Sequence, residues 1–126
     1  MDKQVVIITG ACGRIGASTV RKLSDGYRII GFELLKALYA SANEELVPVD
    51  LSSDESVHQA FTHIRNFYGN KISSVIHLAA YYSFSDPNYS NYERITVQGT
   101  QRLLESLRHF EVGQFIFSST RFIVLV

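Results

Sequence analysis

Short apolar runs alternate with segments of helical period along the whole chain. The runs are nearly continuous in apolar residues and partly β-branched, which is typical of parallel strands that are buried on both faces. The strand candidates are Val5 to Thr9, Tyr27 to Phe32, Leu46 to Val49, Ser74 to Leu78 and Gln114 to Phe117.

Four helices are predicted between these strands. The first covers Arg14 to Ser24, the second Leu34 to Ala42 and the fourth Tyr92 to Phe110, with Gly113 as a stop signal after its end. The side chains of the fourth helix that are expected to point inward are Val97, Leu103, Leu104 and Leu107.

The third helix has an apolar stripe at the i, i+3, i+4, i+7 spacing, and Ser52 with Glu55 three residues later is a capping-box pattern for its start. The stripe consists of Val57, Ala60, Phe61, Ile64 and Tyr68. The alternation of strands and helices predicts an α/β fold, a doubly wound parallel sheet of the Rossmann type with about five strands and right-handed crossovers.

Composition fits one soluble domain over residues 1–126 and narrows the classes of partner. Twelve basic and twelve acidic residues balance, so neither nucleic acid nor a membrane surface is an expected partner. The lone Cys12 excludes an internal disulfide, and the four histidines lack the spacing of metal ligands, so no metal site is predicted. With no signal peptide or membrane span in the pattern, the expected compartment is the cytoplasm.

The first strand runs into "TGACGRIG", residues 9–16, in which Gly10, Gly13 and Gly16 are spaced G-x-x-G-x-x-G. Glycines permit a tight turn and a close backbone approach, and the helix that follows directs its free N–H groups at the same point. This arrangement predicts a dinucleotide site at Gly10, Cys12, Gly13, Arg14, Ile15 and Gly16. A glycine-rich turn without a ligand is the alternative.

Two acidic residues follow later strands. Glu33 ends strand two, 20 residues after Gly13, where a carboxylate accepts hydrogen bonds from the adenosine ribose and repels the extra phosphate of NADP, so NAD is preferred over NADP. Asp50 follows strand three; with Ser52 acting as the cap, its carboxylate is free for the adenine amino group while Leu51 packs on the ring. The alternatives are a helix cap for Glu33 and a turn aspartate for Asp50.

The chain resembles the extended short-chain dehydrogenase/reductases, the NAD-dependent epimerase/dehydratase family. The segments that carry the resemblance follow in the family's order: "TGACGRIG" (9–16), "GFE" (31–33), "VDL" (49–51), "VIHLAA" (75–80), "ITVQGTQRLLES" (95–106) and "QFIFSST" (114–120).

The resemblance implies roles for the later segments. Leu78, Ala79 and Ala80 would border the ribose and nicotinamide half of the cofactor, Ser118 would border the nicotinamide, and Thr120 would be the catalytic hydroxyl that bonds the substrate oxygen. Serines and threonines also end strands for ordinary reasons, and that alternative stays open. From the residues themselves, His77 is expected to be a satisfied, partly buried histidine and not a catalyst, and Gly99 a point where the helix packs closely on the sheet.

The family's Tyr-x-x-x-Lys pair, which moves the proton, occurs nowhere in the sequence. The substrate lobe is also absent, and residues 121–126 form an atypical tail. We therefore expect an N-terminal NAD-binding fragment of an epimerase/dehydratase, without turnover alone, whose small-molecule substrate belongs to the complete parent enzyme. An inert NAD-sensing or protein-interaction module and a non-functional truncation product are the alternatives, with homodimers or association through an edge strand as candidate assemblies.

Overall fold

The computed structural model describes residues 2–35, 44–80 and 89–118. Thr120, residues 121–126 and most of the second predicted helix lie outside these ranges, so the predictions made for them stay predictions.

A parallel sheet of five strands forms the centre of the described structure, with the order β3-β2-β1-β4-β5. The strands are β1 (Gln4–Thr9), β2 (Tyr27–Glu33), β3 (Glu44–Pro48), β4 (Lys71–His77) and β5 (Glu111–Phe117). All five predicted strands are therefore present, although β4 and β5 each begin earlier than the apolar runs indicated. The doubly wound α/β fold is confirmed.

The register brings the carboxyl ends of the strands to one edge of the sheet. Thr9 at the end of β1 is paired with Phe32 of β2 on one side and with His77 of β4 on the other. The strand order reverses beside β1, which is the place where open α/β sheets bind ligands.

The helices differ more from the predictions. They are α1 (Arg14–Leu23), α2 (Asp54–Tyr68), α3 (Tyr89–Asn91) and α4 (Gln98–Leu107), with a π-helical segment, Tyr92–Val97, between the last two. The fourth predicted helix was too long at its end, because α4 stops at Leu107. Gly113, predicted to stop that helix, instead lies inside β5.

Helices cover the two faces of the sheet, and each face has its own apolar cluster. Val20 of α1 packs on one face, whereas the stripe of α2 and the α4 residues Leu103 and Leu107 pack on the other. Val97 and Leu104, also predicted to point inward, are 54% and 45% exposed, because the wider π-helical turn precedes α4 and only one narrow side of α4 faces the sheet. No helix among the described residues is long and apolar enough to cross a membrane.

The start of α2 is capped by Ser53 and not by Ser52, so the predicted capping box is wrong by one residue. The Ser53 hydroxyl accepts a hydrogen bond from the Ser56 N–H at 3.1 Å. The helix ends at Gly69, whose φ of +87° suits glycine and whose N–H donates to the Arg65 carbonyl.

A polar cluster ties the edge strand β3 to α2. One carboxylate oxygen of Glu45 contacts His63 Nε2 at 2.9 Å, and the other accepts a hydrogen bond from the Tyr68 hydroxyl. Burial alone would raise the pKa of Glu45, but the bonds from Tyr68 and His63 outweigh it and hold this pKa below its usual range. The cluster thus stabilises the charged carboxylate and, with it, the edge of the sheet.

Gly113 lies where β5 comes close to β4, so a substitution there tests whether this close approach is required. A Cβ at this position would lie 2.5 Å from the Ser73 carbonyl oxygen, so we expect Gly113→Ala to push the strands apart and to lower the free energy of unfolding by about 1–3 kcal/mol. Urea unfolding followed by circular dichroism measures the change.

Gly26→Ala is the matched control, because a Cβ at Gly26 has open space within 4 Å. Its free energy of unfolding should stay within about 0.5 kcal/mol of the parent. Equal stabilities for the two variants would contradict the close approach of β5 to β4.

Candidate functional site

The glycine loop makes a tight turn between β1 and α1. Gly10 has a φ of +68°, and its N–H donates to the Phe32 carbonyl at 2.8 Å, which joins the loop to β2. The Gly13 N–H then donates back to the Gly10 carbonyl at 3.1 Å. A side chain at position 10 would also meet the backbone of Leu78 and Ala79 at 3.1–3.2 Å, so the loop lies directly against the end of β4.

The N-terminus of α1 is left open by its sequence. Gly13 is the N-cap residue and has no side chain to cap the helix, and no acidic residue occupies the first turn. Gly16 is buried, and a Cβ there would overlap the Gly10 carbonyl oxygen, so only glycine allows the helix to begin so near the strand. Arg14 and Ile15 lie exposed on this first turn. The arrangement can accept an anion at the helix end.

Glu33 lies beside the glycine loop. One of its carboxylate oxygens accepts a hydrogen bond from the Cys12 N–H at 3.1 Å, and the other accepts from the Leu34 N–H at 3.0 Å. Two backbone donors therefore fix the carboxylate at the carboxyl end of β2, next to the turn. Cys12 itself is partly buried.

Asp50 and Leu51 follow β3 on the opposite side of Glu33. The carboxylate of Asp50 was predicted to be free, because Ser52 was expected to cap α2. Instead, one oxygen of this carboxylate accepts hydrogen bonds from the Ser52 hydroxyl, at 2.6 Å, and from the Ser52 N–H, at 2.9 Å. The prediction was wrong because Ser53, and not Ser52, caps α2. These two bonds hold the pKa of Asp50 below its usual value, so the exposed side chain is charged. Leu51 is buried.

The segment after β4 is tied to β1 through one hydroxyl. Thr9 Oγ1 accepts hydrogen bonds from the Leu78 and Ala79 N–H groups, each at 3.0 Å. Ala79 is half-buried and Ala80 is exposed, so small side chains border the space above β1.

His77 is only 2% exposed and has both ring nitrogens in contact with threonines. Its Nδ1 lies 2.6 Å from Thr9 Oγ1, and its Nε2 lies 2.9 Å from Thr100 Oγ1. The prediction of a satisfied histidine is confirmed, although the ring is buried more deeply than the predicted partial burial. Burial lowers the pKa of His77 to about 4, so the ring is neutral near pH 7.

The π-helical segment and α4 form a further wall. A Cβ at Gly99 would lie 3.0 Å from Leu51 Cβ, so the predicted close packing is present, although against the loop after β3 and not against a strand. Arg102 supports the same loop, because it donates to the Leu51 carbonyl at 3.2 Å and to Asp54 at 2.6 Å.

The ends of β1 and β2, the segments after β2, β3 and β4, and the π-helical segment line a cleft of about 120 Å³, hereafter the site cleft, whereas the predicted residues of the glycine loop are not part of its lining. Its lining is mostly apolar, with the two carboxylates at its border. The lining residues are Thr9, Phe32, Glu33, Leu34, Val49, Asp50, Leu51, Ala79, Ala80 and Ile95. Glu33, Asp50, Leu51, Ala79 and Ala80 were predicted as site residues from the sequence, and the structure brings them together.

Sequence reasoning missed the walls that carry no motif of their own. Ile95 lines the site cleft from the π-helical segment, and only its place at the head of "ITVQGT" could have indicated it. Thr9 was identified as the end of a strand, but its position just before the first loop glycine was the available signal for its role in the loop.

Ser118 and Leu78 lie near the site cleft but are not part of its lining. The Ser118 N–H is 3.4 Å from the His77 carbonyl oxygen, which places this exposed residue beside the end of β4. Thr120 lies outside the described residues. Within the described ranges, no group of three His, Cys, Asp or Glu side chains is arranged to hold a metal ion.

A helix N-terminus without a cap, a glycine turn, a carboxylate after β2 and an apolar cleft are together typical of α/β proteins with the Rossmann fold. The model of the NAD dependent epimerase/dehydratase family matches residues 6–124. The chain belongs to this family, and the resemblance inferred from its sequence is confirmed.

Solved structures agree with this assignment. The chain superposes on an epimerase from Methanothermobacter thermautotrophicus with 25% identity, a TM-score of 0.77 and coverage of 94% of this chain and 36% of the other. For the Thermotoga maritima UDP-glucose 4-epimerase with UDP-glucose, the values are 28%, 0.78, 93% and 38%. For an Agrobacterium tumefaciens short-chain dehydrogenase/reductase superfamily protein with bound NAD, they are 26%, 0.73, 93% and 33%. The chain thus spans about a third of the length of these relatives.

The burial of His77 predicts a specific loss of stability in mild acid. The pKa of His77 is about 4 when folded and 6.5 ordinarily, so between these values the unfolded chain binds a proton that the folded state does not. The free energy of unfolding should therefore fall as the pH is lowered from 6.5 towards 4.

Urea unfolding of the parent and of His77→Gln at two pH values measures this effect. Between about pH 7 and about pH 5 the parent should lose roughly 1–2 kcal/mol more than the variant. Equal losses of stability in the parent and the variant would show that the pKa of His77 is not lowered in the folded state.

Proposed function

We propose that the chain is the NAD-binding portion of an epimerase/dehydratase that performs hydride chemistry on a sugar nucleotide or a similar alcohol. The observation that carries the proposal is the Glu33 carboxylate, held beside the glycine loop by the Cys12 and Leu34 N–H groups. The relatives with bound NAD and bound UDP-glucose support the ligand classes.

The adenosine half would lie in the site cleft. Glu33 would accept hydrogen bonds from the ribose hydroxyls, and its charge would repel the additional phosphate of NADP, which favours NAD. Asp50 would accept from the adenine amino group, and Leu51 would pack on the ring. The apolar lining suits a flat heterocycle, and Gly99 packs against Leu51 and supports it from the helix side.

The pyrophosphate would lie at the start of α1. The glycine turn leaves the room that side chains would fill, and the open N-terminus of the helix offers N–H donors and a partial positive charge. Arg14 and Ile15 border this position from the exposed first turn. Cys12 fills the turn and presents its N–H to Glu33, which is a role of the backbone and not of the thiol.

The other half of the cofactor would extend past Leu78, Ala79 and Ala80 towards Ser118. When bound, nicotinamide supplies the acceptor for a hydride from a substrate carbon. Thr120 would orient the substrate oxygen in the parent enzyme, and the proton would be moved by a tyrosine and a lysine that this sequence lacks. We therefore propose that the chain binds the cofactor without turnover of its own.

An inert NAD-sensing module is the second candidate. It would use the same groups around the site cleft to bind NAD. Binding without turnover fits both candidates, and a protein that changes its interactions when NAD is added would favour the module.

Calorimetric titration with NAD and with NADP tests the binding proposal. We expect the unsubstituted chain, hereafter the parent, to bind NAD more tightly than NADP. Glu33→Gln should weaken NAD binding about tenfold, because two hydrogen bonds from ribose hydroxyls lose a charged acceptor, and should narrow the difference between NAD and NADP.

Glu111→Gln is the matched control, since Glu111 lies exposed at the opposite end of the sheet, at the start of β5. Its affinities for both cofactors should equal those of the parent. A parent chain that binds neither cofactor, or a Glu33→Gln variant with unchanged selectivity, would contradict the proposed role of Glu33.

Turnover is tested by incubating the chain with NAD and a panel of UDP-sugars and following absorbance at the NADH wavelength and the sugar products by chromatography. We expect no product above the background without protein, because the proton-transfer pair is absent. Robust epimerisation or NADH formation would disprove the claim that the chain is inactive alone.

A further inference from the structure

A chain of hydrogen bonds crosses the interior from the segment after β4 to the π-helical segment. It runs from the Leu78 and Ala79 N–H groups through Thr9 Oγ1 to His77, and from His77 to Thr100, which bonds the Thr96 carbonyl. The partners are far apart in sequence, since Thr9 and His77 are separated by 68 positions and His77 and Thr100 by 23. These hydrogen bonds therefore join the end of β1, the end of β4 and α4, which are far apart in the sequence.

The direction of each bond follows from the number of protons available. The Thr100 hydroxyl donates to the Thr96 carbonyl at 2.6 Å, so its oxygen is left as the acceptor for the His77 Nε2–H. Nδ1 of the neutral ring is then an acceptor, and it receives the Thr9 hydroxyl proton. Thr9 Oγ1 keeps its lone pairs for the Leu78 and Ala79 N–H groups. Every group in the chain has a partner in this one arrangement.

The two ends of this series of hydrogen bonds are attached to two walls of the site cleft, formed by different elements. Ala79 lines the site cleft at one end, and Ile95, adjacent to Thr96, lines it at the other. Phe115 and Phe117 flank the His77 ring at centroid distances of 6.0 and 6.3 Å, which restricts its rotation. The imidazole thus fixes the distance between Thr9 and Thr100, which are bonded to the two walls.

We propose that His77 is a positioning residue that sets the separation of these two walls, so that the site cleft is shaped for a dinucleotide before the ligand arrives. The ligand part of this inference rests on the proposed function. His77 itself would touch neither cofactor nor substrate. It would act through Ala79 on one side and through the π-helical segment on the other.

Thr100→Val removes the hydrogen bond between His77 and residue 100, at the end of the hydrogen-bond series that is farther from Leu78 and Ala79. The substitution keeps the β-branched shape of the side chain. We expect NAD binding to weaken roughly fivefold, because one net hydrogen bond of the preformed cleft is lost. Thr100→Ser keeps the hydroxyl and should restore the affinity to within about twofold of the parent. Isothermal calorimetry measures all three.

Thr19→Val is the matched control. The Thr19 hydroxyl donates to the Ile15 carbonyl at 2.8 Å, the same bond to the residue four positions earlier that Thr100 makes, but without a histidine behind it. Its NAD affinity should stay within about twofold of the parent. Equal losses in Thr19→Val and Thr100→Val would overturn the proposal, since loss of helix stability would then explain both.

A measurement without ligand separates the positioning role from the proposed function. In nitrogen-15 NMR spectra of the parent, His77 should show the neutral tautomer protonated at Nε2. In Thr100→Val, the Leu78 and Ala79 amide signals should shift and their hydrogens should exchange roughly fivefold faster, whereas in Thr19→Val they should not. Unchanged Leu78 and Ala79 amide signals in Thr100→Val would overturn the positioning role. If these signals change in Thr100→Val but the unsubstituted chain binds no NAD, only the proposed function is refuted.

Discussion

The approach of α1 to the end of β1 is the constraint on which the rest of the site depends. Gly16 can lie against the Gly10 carbonyl only because Gly16 has no side chain, and this contact fixes where the helix begins. The same turn rests on Leu78 and Ala79 and is held to β2 through the Phe32 carbonyl. Once this contact is made, the ends of β1, β2 and β4 have little freedom relative to one another.

The site cleft places its polar groups at the border and its apolar groups inside. Glu33 and Asp50 are each held by hydrogen bonds from nearby backbone or hydroxyl groups, so their positions cost little additional entropy when a ligand binds. The interior His77 is neutral and fully bonded, which removes the cost of a buried charge next to the cleft. The proposed recognition therefore depends on carboxylate acceptors in fixed positions and on the shape of the cleft.

Periodicity and motif spacing predicted the sheet, the glycine loop and the carboxylates, because each of these depends on local sequence. The errors arose where a choice between neighbours depends on three-dimensional contacts. Ser52 and Ser53 are equally good caps in the sequence, and only the bond from Ser52 to Asp50 decides between them. Gly113 has the position and residue type of a helix stop, but the structure needs a glycine there because a side chain would collide with the Ser73 carbonyl oxygen. The π-helical turn and Ile95 have no periodic signal, so their contribution to the cleft could not be predicted.

The hydrogen bonds around His77 also bear on the order in which the chain folds. The bond between Thr9 and His77, 68 positions apart, needs β1 and β4 to meet, and the bond between His77 and Thr100, 23 positions apart, needs α4 to meet β4. Contacts of such long range form late, because the loops between them must be closed first. The walls of the cleft are thus completed by the final docking of elements and by no local segment alone. A ligand that recognises the finished cleft would bind only the fully folded chain and would shift the folding equilibrium towards it by mass action.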